Sequence, residues 1–164
     1  MLLANPRRRS ELLRRVGQAA AEFDSQNLAQ ESQRGRVASA RGGGTPSKPP
    51  LGYRRGLATK AGRAAAAVEI DPRHGPIIRD VFEELAKGTS SLASILRSAN
   101  RAGLGANRST PFRRAQLRRL LTRTYYKGIV RYAGHDYPGL HQPLVSKETW
   151  QRVQELLAGE NEGS

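Results

Sequence analysis

The sequence predicts a mainly α-helical fold, in which a long N-terminal helix and an extended arm lead to a helix-turn-helix-like helical domain with a small β-hairpin wing. Apolar residues recur at helical spacing in several segments, a glycine- and proline-rich run at 42–50 interrupts them, and two short apolar segments follow the domain's third helix. We expect residues 1–44 to form the long helix and basic arm, 45–158 the domain, and 159–164 a disordered tail.

The first predicted helix spans residues 6–41. Asn5 is its candidate cap, and Pro6 occupies a first-turn position that tolerates proline. The helix carries a thin apolar stripe that fades toward its basic end, and a polar helix that outruns its stripe usually contacts something outside its own chain. The stripe consists of Leu12, Leu13, Val16, Ala20, Phe23 and Leu28. Gly42–Gly44 should end the helix, and the following prolines favour an extended connector.

Three helices are predicted in the domain, because three segments combine an apolar face with helix start and stop signals. The first spans about 76–87, the second runs from a cap at Ser90 or Ser91 to about Ala102, and the third spans about 112–124. The third helix places its leucines on one side and several arginines on the other.

Short strands are predicted at 66–70, 128–133 and roughly 140–145. The last two should pair around Gly134–Asp136 as the wing, and a final helix should begin at a cap provided by Ser146. Three helices followed by a two-stranded wing resemble the DNA-binding arrangement in which the third helix lies in the major groove.

The charge distribution is the strongest functional signal in the sequence. The formal net charge is +14, and no carboxylate occurs within residues 32–68 or 85–135. Such a polarised field favours a polyanionic partner through counterion release and steered encounter. The alternative is a merely solvated basic surface, since a GC-rich genome also favours arginine over lysine.

The outward side of the third predicted helix is the candidate reading surface for DNA. Arg119 and Gln116 are assigned to base edges, because arginine pairs with guanine and glutamine with adenine in the major groove, and Thr122 and Arg123 come next. Other cations are expected to contact phosphates or to follow the minor groove, where they position the protein. These are Arg34, Arg36, Arg41, Lys48, Arg54, Arg55, Arg108, Arg113, Arg114, Arg118 and Lys127.

The sequence indicates no active site. It has no cysteine, its three histidines are dispersed, and no serine lies in a nucleophile elbow with histidine and aspartate partners. We therefore predict no catalytic residue, no metal ligand and no cofactor. No apolar run of about 18 residues is present to span a membrane, so we expect a cytoplasmic, nucleoid-associated protein.

Four blocks of sequence occur in an order typical of one protein family. They are PPLGYRR, IDPRHGPIIRDVFEELAKGTSSLASILRSANRAGL, LRRLLTRTYYKGIV and HQPLVSKETWQRVQELL. Their order and spacing over about residues 45–158 resemble the recombinase domain of the large serine recombinases, also called serine integrases. Residues 22–41 resemble the end of the long helix that leaves the catalytic domain in that family.

The resemblance implies a role in site-specific DNA recombination by a mobile element, with double-stranded DNA as the partner. It places the arm, residues 41–50, along the minor groove. The resolvase-like domain that supplies the family's serine nucleophile, and its cysteine-bearing zinc ribbon, have no counterpart in this sequence. We therefore expect a truncated recombinase that does not cleave DNA alone. Its expected protein partner is a separate chain carrying the catalytic domain, or a second copy bound through the N-terminal helix.

Other interpretations stay open at this point. The main alternative is a non-enzymatic, winged-helix-like DNA-binding regulator that dimerises through residues 6–41. A basic RNA-binding protein is a further alternative, although the sequence shows no aromatic stacking platform for bases. A chain that folds but has no function is the last.

Overall fold

The computed structural model describes residues 6–56, 68–105 and 110–159. The described α-helices are α1 (Pro6–Arg41), α2 (Gly75–Lys87), α3 (Leu92–Arg101), α4 (Arg114–Leu121) and α5 (Lys147–Gly159). A 3₁₀ helix spans Thr124–Lys127, and the strands are β1 (Tyr53–Arg55), β2 (Val68–Ile70), β3 (Ile129–Tyr132) and β4 (His135–Pro138). The predicted mainly α fold is confirmed. None of the described helices is long and apolar enough to cross a membrane.

The chain divides into two compact units, Met1–Ala38 and Ser39–Ser164. Within the first unit, α1 carries its apolar stripe at the predicted spacing. The stripe is open to solvent, since Leu13 and Phe23 are 64% and 63% exposed. Helix propensity and local pairs such as Arg15 with Glu11, joined at 2.9 Å, support this part of α1 rather than burial.

The second unit contains one hydrophobic core. Helix α2 packs against α3 and α5, and α4 contacts the same two helices. Each helix turns its apolar face inward, which is what the 3.6-residue spacing of those side chains predicts. The largest fully buried side chains are Tyr126, Phe82, Ile78, Leu92, Leu104, Leu117, Leu121 and Val153.

The predicted end of α2 and the predicted starts of α3 and α5 agree with the capping found in the structure. The Ser91 hydroxyl accepts the amide of Ser94 at 3.2 Å at the start of α3, and the Ser146 hydroxyl accepts the amide of Thr149 at 3.1 Å at the start of α5. Gly88 follows α2 with a φ of 70°, the left-handed conformation that glycine adopts without strain.

Helix α4 is shorter than the sequence predicts. The expected span of 112–124 is wrong at both ends, because the helix begins at Arg114, after an extended Arg113, and stops at Leu121. The side chain of Asn100 holds Phe112 outside the helix: its amide donates to the Phe112 carbonyl, and its oxygen accepts the Phe112 amide, both at 2.9 Å. This reciprocal pair anchors the start of α4 to the end of α3.

The wing is a tight hairpin, and the prediction of its second strand at 140–145 is wrong. Strand β4 is His135–Pro138, joined to β3 by a two-residue turn in which Ala133 and Gly134 have φ values of 49° and 79°. Two positive φ values give the turn type that matches the twist of paired strands. The apolar residues Leu144 and Val145 are instead core residues outside the sheet, and both amides donate to the Tyr126 carbonyl.

A second small hairpin is formed by β1 and β2, which pair antiparallel with Tyr53 opposite Ile70. The strand predicted at 66–70 is found at Val68–Ile70, and residues 66 and 67 lie outside the described residues. Strand β1 was not predicted, because Arg54 and Arg55 give no apolar alternation.

The end of α1 turns sharply into the arm at Gly43. The Gly43 and Gly44 amides donate to the carbonyls of Ala40 and Ser39 at 2.9 and 2.8 Å, the pairing of a Schellman motif. Gly43 has a φ of 78°, and a Cβ there would lie 2.8 Å from the Pro138 carbonyl oxygen. The turn therefore requires glycine for its conformation and for the close approach of the hairpin.

Candidate nucleic-acid interface

The outward edge of α4 continues into the loop that follows it. Arg119, Thr122 and Arg123 are exposed there, while Leu117 and Leu121 on the opposite side are fully buried. Thr122 caps the end of α4 and Arg123 follows it in an extended conformation, and Arg119 and Arg123 line the same pocket. The Thr122 hydroxyl donates to the Arg119 carbonyl at 3.0 Å, which ties this edge together. The core leaves the predicted reading surface uncovered.

The guanidinium groups of Arg119 and Arg123 make no ion pair or hydrogen bond with any residue in the described ranges 6–56, 68–105 and 110–159. Both groups line one shallow pocket, whose wall also includes Gln116 and Tyr126. An arginine that is not engaged within the fold keeps all its donors available for a ligand, and its planar fork matches phosphate or guanine.

Two other exposed arginines are engaged within their hairpins. Arg131 donates to both oxygens of Asp136 at 2.6 and 2.9 Å, across β3 and β4. This hydrogen bond and the nearby charge lower the pKa of Asp136, so the carboxylate stays charged. Arg54 pairs with Glu69 at 3.4 Å across β1 and β2. Exposed pairs of this kind contribute little to stability, and each one offsets a positive charge on the surface.

Gln116 takes part in the start of α4. Its side-chain oxygen accepts the Arg113 amide at 2.9 Å, and Gln116 is half-buried. Bidentate contact with adenine requires the same oxygen as acceptor and the amide nitrogen as donor. Contact with adenine would therefore compete with this cap, whereas the Arg119 guanidinium has no such competing hydrogen bond among the described residues.

Two of the predicted DNA-contacting cations are used inside the domain. Arg118 donates to the Leu157 carbonyl at 2.5 Å, near the carboxyl end of α5, where a cation also favours the helix dipole. The Lys127 ammonium lies 3.8 Å from the centre of the Trp150 ring, within cation–π range. Both side chains are half-buried, unlike the exposed side chains of Arg119 and Arg123.

The arm, residues 41–50, forms one wall of a cleft of about 370 Å³. Lys48 of the arm lines this cleft together with Thr122, Arg123 and Arg131. The structure thus brings Lys48 together with the outward edge of α4. Arg55 supports this arrangement by donating to the Ser47 carbonyl at 3.0 Å.

Most of the remaining predicted site residues are exposed at helix ends or along α1. Arg41 is exposed at the end of α1, and Arg113 and Arg114 are exposed at the start of α4. Arg34 and Arg36 are exposed on α1 in the first unit. Arg108 lies outside the described residues.

The sequence did not predict the cluster of packed aromatic rings next to the arm. The Tyr125 and His141 rings stack with centroids 3.7 Å apart, and Tyr53 packs edge-on against Tyr125 at 5.0 Å. Burial raises the pKa values of Tyr53 and Tyr125 and lowers that of His141, so all three are neutral near pH 7. The Tyr125-Tyr126 pair directly after the third predicted helix was the available signal. Within the described ranges, no group of three acidic or histidine side chains is arranged to hold a metal.

Comparison with known proteins identifies the family. The Recombinase family model matches residues 72–160, which is more than half of the chain. The chain belongs to the Recombinase family. This match and the solved structures below confirm the resemblance to the recombinase domain of large serine recombinases. No curated protein matches this sequence.

Two solved structures share the fold of this Recombinase-family chain. One is a chain from the crystal structure of a large serine recombinase–DNA complex, and the other comes from a structure concerning the sequence requirements of the Listeria innocua prophage attP site. Each has a TM-score of 0.60 and 17% identity over 78% of this chain. The match covers 39% of the first chain and 51% of the second, so this chain spans about half their length or less.

Proposed function

We propose that this chain binds duplex DNA as the recombinase domain of a serine recombinase and acts in site-specific DNA recombination. One observation carries the proposal: the exposed guanidiniums of Arg119 and Arg123 make no ion pair or hydrogen bond with the described residues and line one pocket, and Arg123 also lines the cleft that the arm borders. An acid-free helix edge joined to a basic arm supports contact with a polyanion over a continuous surface.

In the proposed complex, α4 lies in the major groove with its outward edge against the bases. Arg119 offers its fork to guanine, while Thr122 and Arg123 contact neighbouring bases or phosphates. From α4 the arm crosses the DNA backbone, where Lys48 and Arg41 neutralise phosphates, and it continues along the minor groove. The hairpin of β3 and β4, whose Arg131 is held by Asp136, supports the arm and adds little charge.

The binding experiment is a salt titration of duplex affinity. If six to eight phosphates are neutralised, the logarithm of the association constant should fall with the logarithm of salt concentration at a slope of roughly −5 to −7. The matched control is Arg152→Ala, which removes one exposed arginine from α5 that pairs with Glu155 instead of lining the cleft; its slope should equal that of the wild type.

A slope near zero would contradict the proposal, and tighter binding of structured RNA at equal salt would favour the RNA-binding alternative.

We further propose that this chain binds without cleaving, because the resemblance assigns the serine nucleophile to a different domain. The same reactions on a denaturing gel should then show intact DNA strands. A localisation with the cellular DNA follows from the same proposal, and fluorescence imaging of a tagged chain tests it.

We also propose that the exposed stripe of α1 binds a second protein chain through its apolar side chains. Burying a large apolar side chain contributes about 1.5–3 kcal/mol, so this stripe is a sufficient driving force for association. The chain that binds this stripe is a second copy of this protein or a chain with the catalytic domain. A self-dimer with a palindromic footprint would favour the regulator alternative.

Sedimentation equilibrium tests the second-copy form of this proposal. The wild type should increase in mass with concentration, and Leu13→Ser combined with Phe23→Ser should remain monomeric. Gln18→Ser combined with Gln26→Ser is the matched control, since it changes two exposed polar positions of α1 and should leave association intact. A wild type that stays monomeric at every concentration would remove the self-dimer and leave the partner chain.

A further inference from the structure

Hydrogen bonds at Gly43, Thr45 and Ser47 join the arm to Leu140, Tyr125 and Arg55 of the same unit. The Leu140 amide donates to the Gly43 carbonyl at 2.8 Å, and Arg55 donates to the Ser47 carbonyl at 3.0 Å. Between these points the hydroxyls of Thr45 and Tyr125 lie 2.5 Å apart and share a hydrogen bond. Two of the three contacts use backbone carbonyls of the arm, so the contact at Thr45 is the one that depends on the arm's side-chain identity.

The Tyr125 side chain has little freedom to move. Its ring lies within 8° of parallel to the His141 ring, and the His141 Nε2 atom lies 2.7 Å from the Tyr125 carbonyl oxygen. On another side the ring meets Tyr53 at an interplanar angle of 82°. The hydroxyl is therefore fixed at the place where Thr45 of the arm meets it.

We propose that Tyr125 is a positioning residue that orders the arm before DNA arrives, an inference that rests on the proposed DNA-binding function. Ordering a free segment costs backbone conformational entropy. A segment that the fold already orders does not lose this entropy when DNA binds. Tyr125 touches no DNA in this scheme; it acts through Thr45 on the position of Lys48 and Arg41.

The variant that tests this inference is Tyr125→Phe, which keeps the ring stack and removes only the hydroxyl. Thr45→Val removes the other hydroxyl with almost no change of shape. The matched control is Tyr53→Phe, because the Tyr53 hydroxyl donates at 2.8 Å to the Gln142 carbonyl, outside the arm. All three variants remove one hydroxyl from the same hydrogen-bonded region.

The first measurement is amide hydrogen exchange in the free protein. Exchange of the arm and of the Leu140 amide should become about 2- to 10-fold faster in Tyr125→Phe and Thr45→Val, as expected for loss of one buried hydrogen bond. Tyr53→Phe should leave exchange of the arm unchanged. Because no DNA is present, this measurement holds even if the proposed function is wrong. Unchanged exchange in both arm variants would overturn the inference.

The second measurement is duplex affinity over a range of salt. Tyr125→Phe and Thr45→Val should each bind about 2- to 10-fold more weakly at every salt concentration, with the wild-type slope, because the number of neutralised phosphates is unchanged. The double variant should be no weaker than either single variant, since both remove the same bond. Faster exchange with unaltered affinity would overturn the role in binding. Absence of duplex binding by the wild type would instead refute the proposed function, and the exchange result would still decide whether the arm is held.

Discussion

Replacing Arg119 with alanine is expected to weaken binding to the preferred duplex about 5- to 150-fold and to change binding to unrelated duplexes little. A bidentate arginine–guanine contact contributes about 1–3 kcal/mol of discrimination against other bases, which corresponds to that range at 1.4 kcal/mol per tenfold. Because the Arg119 side chain is exposed and makes no contact with a described partner, its loss should not alter stability. The measurement is affinity for a site selected from a random duplex pool, compared with a scrambled duplex.

Arg41→Ala is the companion variant for this experiment. Arg41 is exposed at the end of α1 and is assigned to the backbone or minor groove, so its removal should weaken binding to both duplexes by a similar factor. The salt slope should also fall by about one. If Arg119→Ala and Arg41→Ala behave alike on both duplexes, α4 does not read bases in the way proposed.

Leu121→Ala is expected to lower the free energy of unfolding by about 2–5 kcal/mol, the cost of truncating a fully buried leucine and leaving a cavity. Leu121 is 0% exposed and lies under the outward edge of α4. Since the free energy of unfolding of many domains is only about 5–15 kcal/mol, this one change removes a large part of it. Urea denaturation followed by circular dichroism measures it.

Leu140→Ala supplies the control for Leu121→Ala, because Leu140 is 78% exposed and the chemical change is the same. It should alter the unfolding free energy by less than about 0.5 kcal/mol. Equal effects of the two substitutions would mean that α4 is not packed on the core as described.

The helices of the domain could be predicted well because their signals are local. Apolar spacing and the serines at 91 and 146 determine α3 and α5 from residues near in sequence. The start of α4 could not be predicted, because Asn100 holds Phe112 outside the helix from twelve residues away. The second wing strand was misplaced for a related reason: Leu144 and Val145 are apolar enough to suggest a strand, but their amides pair with Tyr126 in the core.

The candidate site, too, could be predicted only where its signals are local in the sequence. The exposure of Arg119 and Arg123 follows from the leucine spacing of α4, so sequence alone could place them. Arg118 contacts the end of α5, and Gln116 caps its own helix. Both contacts depend on partners that only the folded chain brings close. Charge patterning identifies a region of the surface, but the contacts inside the fold decide which cations remain available to DNA.

The separation of α4 into a buried leucine side and an uncovered edge has a practical consequence for re-targeting. Ala115, Arg119, Thr122 and Arg123 are all exposed, so a combinatorial library at these four positions can vary base preference without repacking the interior. If α4 reads bases as proposed, selection from such a library would sample new duplex preferences on an unchanged scaffold.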